Sequence, residues 1–196
     1  VEKLESIKLY AKFGGAVGNW SAHFIAFPKK DWVMLSSKFL ASLDLKQNTL
    51  TTQSAPPEDI IEVFQIIGRI NNILLDFNQD IWRYISDGWI SQKITKGEVG
   101  SSTMPQKINP IKFENSEGNL KIASSLLDTF SRELPVSRLQ RDLSDSTILR
   151  NIGTAFSHSL LSYINTSSGI SKLSFNKKAA IDSLEGNWNI LGEALQ

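Results

Sequence analysis

The sequence predicts an all-α protein built as a bundle of long helices, and three observations carry that expectation. From Pro57 to about Ser86, the positions Ile60, Phe64, Ile67, Asn71, Leu74, Phe77, Ile81 and Tyr84 or Ile85 keep a 3.6-residue period. Two further long segments, Pro110–Ser131 and Ser146–Ser168, open on residues suited to starting helices. Apolar residues off the main stripe of the longest segment, Ile61, Val63, Ile66, Ile73 and Leu75, require burial on more than one side, as a bundle provides.

Taken in order, Leu9–Phe13 reads as a short extended segment, followed by a turn in which Gly14, Gly15 and Gly18 suit close backbone packing. A helix is expected from about Lys30 to Leu43, with Trp32, Leu35, Phe39 and Leu43 on its buried stripe. The loop Thr51-Thr52-Gln53 precedes the Pro57–Ser86 helix, whose first turn carries Glu58 and Asp59 where the helix dipole favours them. A helix of that length spans about 45 Å at the standard rise. Asp87–Lys107 has no sustained apolar period, and with Gly97 and Gly100 as hinges it reads as a lid. Asn109 then suits an N-cap and Pro110 the first helical position, where its missing N–H costs nothing. Ser144, Asp145 and Ser146 are cap candidates ahead of Ile148, Ile152, Ala155, Phe156 and Ser159, so one continuous helix is expected from about Ser146.

Composition narrows the chemistry. With 196 residues, 41% of them hydrophobic, the chain can bury a sizeable core, and a net charge of +1 gives no electrostatic footprint for nucleic acid. No uncharged apolar run reaches membrane-spanning length and no secretory signal is present, so a cytoplasmic protein is expected. The absence of cysteine excludes disulfides and thiolate catalysis. The two histidines, His23 and His158, stand outside any cluster with metal-ligand spacing, and both are expected to be structural.

The most specific string is Gly100-Ser101-Ser102-Thr103-Met104-Pro105-Gln106-Lys107-Ile108-Asn109-Pro110. It sets paired hydroxyls and a cation before a helix start, whose free amides and positive dipole end suit a carboxylate or an oxyanion. A second segment, Ser137 to Asn151, offers two guanidinium groups, Arg141 and Arg150, with the Ser146 hydroxyl at an expected helix start. Those groups suit a phosphate. The same arginines also suit surface ion pairs with Asp142 and Asp145, and the residues alone leave both readings open.

The first string resembles the signature G-S-S-x-M-P-x-K-x-N-P of the fumarase–aspartase superfamily, with every fixed position matched. The segments Gly15–Asn19, Thr51–Gln53 and Ser137–Asn151 are similar to those of the bacterial adenylosuccinate lyase family, and the likeness runs over nearly the whole chain. This resemblance implies a carbon–nitrogen lyase that releases fumarate by β-elimination from succinylated purine nucleotides, giving AMP in one reaction and a carboxamide ribotide in another, without a cofactor. It makes Ser101 the general base, a weak base that Lys107, nearby amides and exclusion of water would have to assist. It places Gln53, Ser102, Lys107, Ile108, Asn109, Asn115 and Thr147 in the substrate site, Asn115 within the first two turns of its helix, and gives the nucleotide phosphate to Arg141, Ser146 and Arg150. It further implies a homotetramer whose long helices form a common central bundle, with active sites shared between subunits. Two alternatives are another fumarate-releasing lyase, whose substrate would lack the phosphate, and a noncatalytic helical oligomerisation module.

The resemblance also divides the chain. Residues 1–170 are expected to be the central helical domain carrying the signature loop, and 171–196 the start of a C-terminal helical domain. The chain opens in mid-pattern at Val1 and ends in an amphipathic segment with Trp188, Ile190, Leu191 and Leu195, so it is expected to be the middle of a lyase. The general-acid histidine of the family is expected in the part preceding these residues.

Overall fold

The structure is a computed structural model that describes residues 1–93 and 109–192. In chain order the elements are α1 (Glu2–Glu5), β1 (Tyr10–Ala11), α2 (Ser21–Ala26), α3 (Trp32–Ala41), β2 (Lys46–Gln47), α4 (Glu58–Ser86), β3 (Ile90–Gln92), α5 (Ile111–Glu133), α6 (Ser144–Leu149), α7 (Ile152–Ile170), β4 (Leu173–Phe175), α8 (Lys177–Glu185) and a 3-10 turn, Trp188–Leu191. The architecture is helical, as the periodicity predicts. The residues group into two compact units, Val1–Ile70 with Ser124–Ala155, and Asn71–Ala123 with Phe156–Gln196, so α4, α5 and α7 each contribute to both.

The first unit has an apolar core of Ile61, Phe64, Leu127, Phe130, Leu134 and Ala155, with Ile60, Ile67, Leu126, Ile148 and Ile152 packed against it. Phe64 and Phe130 meet edge to face with centroids 5.3 Å apart, and each aromatic side chain buried this way contributes about 1.5–3 kcal/mol. Ile60, Phe64 and Ile67 lie on the stripe read for α4, and Ile148, Ile152 and Ala155 on the pattern read around Ser146. Ile61 and Ile66 are buried as well, so the helix is covered on more than one side here.

Around that core, β1 pairs in parallel with β2, and the Tyr10 backbone N–H donates to the Asp59 carboxylate in the first turn of α4. The expected extended segment is therefore a two-residue strand. The glycine turn is close-packed as anticipated: Gly18 has φ +77°, and a Cβ there would sit 2.3 Å from the Thr51 carbonyl oxygen. Trp20 follows with φ 53°, held by burial and by its indole N–H, which donates to the Ser36 hydroxyl at 2.9 Å.

Helix α3 departs from its expected stripe. Leu35, Phe39 and Leu43 are exposed, and the buried positions are Ser36 and Leu40. The cause is polar: the Ser36 hydroxyl accepts from Trp20 and donates to the Phe13 carbonyl, which fixes the inward face one residue further along. The helix starts at Trp32 because the Asp31 side chain accepts from the Met34 N–H. His23 lies between the rings of Phe13 and Trp32.

The second unit is held by a buried polar network. Asn71 donates to the Ser159 hydroxyl and accepts from the Tyr163 hydroxyl at 2.6 Å. Asn78 donates to the Ser116 hydroxyl and accepts from Thr166, while Ser116 and Ser162 exchange hydrogen bonds with each other's backbone carbonyls. An unpaired buried group costs about 1–3 kcal/mol, so this network fixes the register of the three helix stretches that supply it. Gly169 lets α7 approach α5, since a Cβ there would lie 2.7 Å from the buried Phe113 ring. Burial raises the Tyr163 hydroxyl above its ordinary range, with a hydrogen bond to Ser159 opposing.

Two expectations about this unit need correction. The stretch read as the start of a lid contains β3, which pairs antiparallel with β4 in the register Ile90↔Phe175, Ser91↔Ser174 and Gln92↔Leu173. The remainder of that stretch, 94–107, with Gly97 and Gly100, lies outside the described residues. Helix α5 starts one residue later than anticipated, at Ile111, because the Pro110 carbonyl accepts the first helical bond from the Glu114 N–H.

Candidate active site

Within the first unit, a cleft of about 970 Å³ lies between three stretches of chain: Gly18–Trp20, Leu50–Glu58 and Glu133–Leu149. Thr51, Thr52 and Ser54 line it on either side of Gln53, and Arg141, Asp142, Ser144 and Asp145 line it opposite. Three of the segments singled out in the sequence, Gly15–Asn19, Thr51–Gln53 and Ser137–Asn151, thus contribute to one lining. The Gln53 backbone N–H donates to the Gln140 side chain at 3.2 Å, which joins the glutamine loop to the arginine loop.

Each loop has a local cause. The Asp142 side chain accepts from the Ser144 N–H at 3.0 Å, and the Ser137 hydroxyl accepts from the Asp142 N–H, closing the turn that leads into α6. The Ser144 backbone N–H, then the Ser144 hydroxyl and Arg138, hold the Asp142 carboxyl below its usual range, against an opposing desolvation effect. Arg141 is half-buried and faces Asp145 four residues later, with both guanidinium contacts at 3.3 Å. The ion pair weighed as an alternative from the sequence is therefore present at Arg141, and Arg138 pairs with Asp142.

The expected helix from Ser146 is interrupted. Helix α6 runs only from Ser144 to Leu149, a turn follows at Arg150–Asn151, and α7 begins at Ile152. Ser146 is inside the short helix, its hydroxyl donating to the Leu143 carbonyl, instead of capping a long one. Arg150 is the C-cap of α6 and is exposed, and Thr147 is exposed with its carbonyl accepting from the Asn151 side chain. The restart comes from Asn151, whose own carbonyl accepts the first bond of α7 from the Ala155 N–H. The apolar spacing Ile148, Ile152, Ala155 runs through the break because all three pack on one core.

In the second unit, Asn109 is half-buried beside the buried Pro110, and Asn115 is exposed on α5. Asn115 is tied to Asn119, and Asn165 of α7 donates to its side-chain oxygen at 2.7 Å. Asn119 also faces His158 at 2.6 Å, so His158 has a defined partner. Sequence reading did not single out Asn119 or Asn165; the i, i+4 spacing of Asn115 and Asn119 was the available signal. Ser101, Ser102, Lys107 and Ile108 lie outside the described residues.

Among the described residues no three His, Asp or Glu side chains are grouped to hold a metal ion, and no helix is long and apolar enough to cross a membrane. What the geometry offers is a cleft lined by both polar and apolar residues, with one paired guanidinium, that of Arg141. Residues 1–123 match the family model described as lyase, and residues 137–196 match the model described as adenylosuccinate lyase C-terminal. The chain belongs to this lyase family. Its relatives are adenylosuccinate lyases: that of Legionella pneumophila (strain Corby) is 52% identical over 195 residues, covering 100% of this chain. The adenylosuccinate lyase of Dictyostelium discoideum is 48% identical over 98% of the chain, and that of Escherichia coli (strain K12) 46% identical over 99%. The chain spans 42–43% of the length of these relatives.

Proposed function

We propose that the protein acts as an adenylosuccinate lyase, cleaving succinylated purine nucleotides to fumarate and the corresponding amine or amide. The observation that carries this reading is the cleft of the first unit, where the residues flanking Gln53 and the Arg141 segment line one space. Arg141, Ser146 and Arg150 take the phosphate, Gln53, Ser102, Lys107, Asn109 and Asn115 hold the two carboxylates of the succinyl arm, and Ile108 and Thr147 complete the substrate site. Ser101 removes the proton next to a succinyl carboxylate. The electron pair forms the double bond of fumarate as the carbon–nitrogen bond breaks, and the nitrogen leaves with a proton from a histidine outside this chain. The reaction needs no cofactor.

The protein works in the cytoplasm as a homotetramer. Support for assembly comes from apolar side chains that the single chain leaves exposed on its long helices, including Ile73 of α4, Ile122 of α5, and Leu160, Leu161 and Ile164 of α7. Static light scattering of the full-length protein tests this; a stable monomer would remove the assembly from the proposal.

The phosphate assignment is tested by titrating the nucleotide and its dephosphorylated nucleoside against Arg150→Ala. The nucleotide should lose about 1.5–3 kcal/mol, the worth of a charged hydrogen bond, and the nucleoside almost nothing. Equal losses would make the arginine structural and favour a lyase acting on a phosphate-free substrate.

A further inference from the structure

The side chains around Asn115 form a chain whose donors and acceptors are all fixed by one backbone atom. Asn119 Nδ2 donates to the Asn115 carbonyl oxygen at 2.8 Å and to Asn115 Oδ1 at 3.1 Å. A backbone carbonyl only accepts, so the Asn119 atom facing it is the amide nitrogen, and the Asn115 side-chain atom sharing that nitrogen is the oxygen. Asn165 Nδ2 donates to the same oxygen at 2.7 Å, which turns Asn165 Oδ1 toward the Lys112 ammonium at 3.4 Å. On the other branch, Asn119 Oδ1 lies 2.6 Å from His158 Nδ1, and because that oxygen only accepts, Nδ1 carries the hydrogen.

Two directed chains therefore converge on Asn115 Oδ1, one from His158 through Asn119 and one from Lys112 through Asn165. Both lone pairs of that oxygen are taken. The Asn115 NH₂ makes no hydrogen bond among the described residues, and the side chain is exposed, whereas Asn165 is only 8% exposed. An unrestrained carboxamide turns over about its last torsion at little cost. Turned over, Asn115 would present its oxygen to an incoming carboxylate and repel it.

We propose that Asn119 and Asn165 are positioning residues that lock the Asn115 carboxamide with its NH₂ outward, committing the position to donate to an anionic group of the ligand, here a carboxylate of the succinyl arm. The proposal rests on the reading above that Asn115 meets the substrate. Asn165→Asp is the informative change, because its carboxylate accepts from the Asn115 NH₂ and so draws the amide into the wrong orientation, while Lys112 balances the added charge.

The experiment measures KM for adenylosuccinate and the inhibition constant of AMP, which lacks the succinyl arm, in the full-length protein carrying Asn165→Asp, Asn115→Ala, and both. Asn165→Asp should raise KM about tenfold, the worth of one charge-assisted hydrogen bond, and leave AMP within about twofold. On the Asn115→Ala background the same change should add almost nothing, since the effect passes through Asn115. An undiminished effect there would overturn the proposal, as a simple charge repulsion. An unchanged KM in Asn115→Ala alone would instead remove Asn115 from the substrate site, and the proposal with it. A variant that fails to fold leaves a second measurement on the unaltered protein, the ¹⁵N spectrum of its histidine rings at alkaline pH. His158 should be the Nδ1–H tautomer, and finding Nε2–H would overturn the lock.

Discussion

Replacing Gly18 by alanine tests whether the glycine turn sets the wall of the cleft. Gly18 has φ +77°, and a Cβ there would lie 2.3 Å from the Thr51 carbonyl oxygen and 2.4 Å from its hydroxyl. A residue with a Cβ costs about 1–2 kcal/mol in the left-handed region. Relieving the overlap by moving backbone is an overpacking change, costing about 1–3 kcal/mol more. Loss of glycine's freedom in the unfolded chain returns about 0.4–1 kcal/mol. Gly18→Ala should therefore destabilise by about 1–4.5 kcal/mol in urea unfolding. Gly15 supplies the internal control: its φ is +80°, but its Cβ would meet only the His23 ring at 3.4 Å. Gly15→Ala should pay the backbone strain alone, so the two variants should differ by about 1–3 kcal/mol. A difference under about 0.5 kcal/mol, within the scatter of independent surface changes, would refute the steric argument.

Ser101→Ala should lower turnover by on the order of 10²–10⁴-fold while substrate binding is largely kept, and wild-type-like turnover would sink the assignment of Ser101 as base. Tyr163 is raised by burial, so its neutral form is the one the fold favours. Its contribution to stability is complete below the ordinary tyrosine range and is lost as the pH rises through the folded value. Ultraviolet titration should show one phenol ionising late, and Tyr163→Phe should remove that phase and flatten the alkaline loss of stability.

How much of this was legible in the sequence depended on which force set each position. Phe64, Asn71 and Ile81 are buried on the stripe their spacing predicts, because α4 is positioned by apolar packing that has a clear period. The inward turn of Ser36 was not legible, since a serine at helical spacing looks the same whether it meets water or the Trp20 indole. The same holds for Asn78, Ser116, Ser162 and Thr166, whose burial depends on partners 38 to 88 residues away. The break at Arg150–Asn151 was hidden by an apolar pattern that continues through it. At the candidate site, the pairing of the Gln53 and Arg141 segments followed from the family resemblance, whereas the role of Gln140 in joining them is a property of the fold alone.

The contact between Arg141 and Asp145 changes what binding at the cleft means. The carboxylate already lies along the Nε–Nη2 edge of the guanidinium, so on that edge the arginine is not a bare cation. An anion that takes this edge must displace a counter-ion tethered four residues along the chain, and its net gain there is the difference between two pairings instead of the whole of one. Such an exchange penalises weak visitors most. Chloride or a lone carboxylate would offer that edge little more than Asp145 does, while a doubly charged group with several acceptor oxygens would have a margin to spare, so the pair would favour the more highly charged of two anions competing for it.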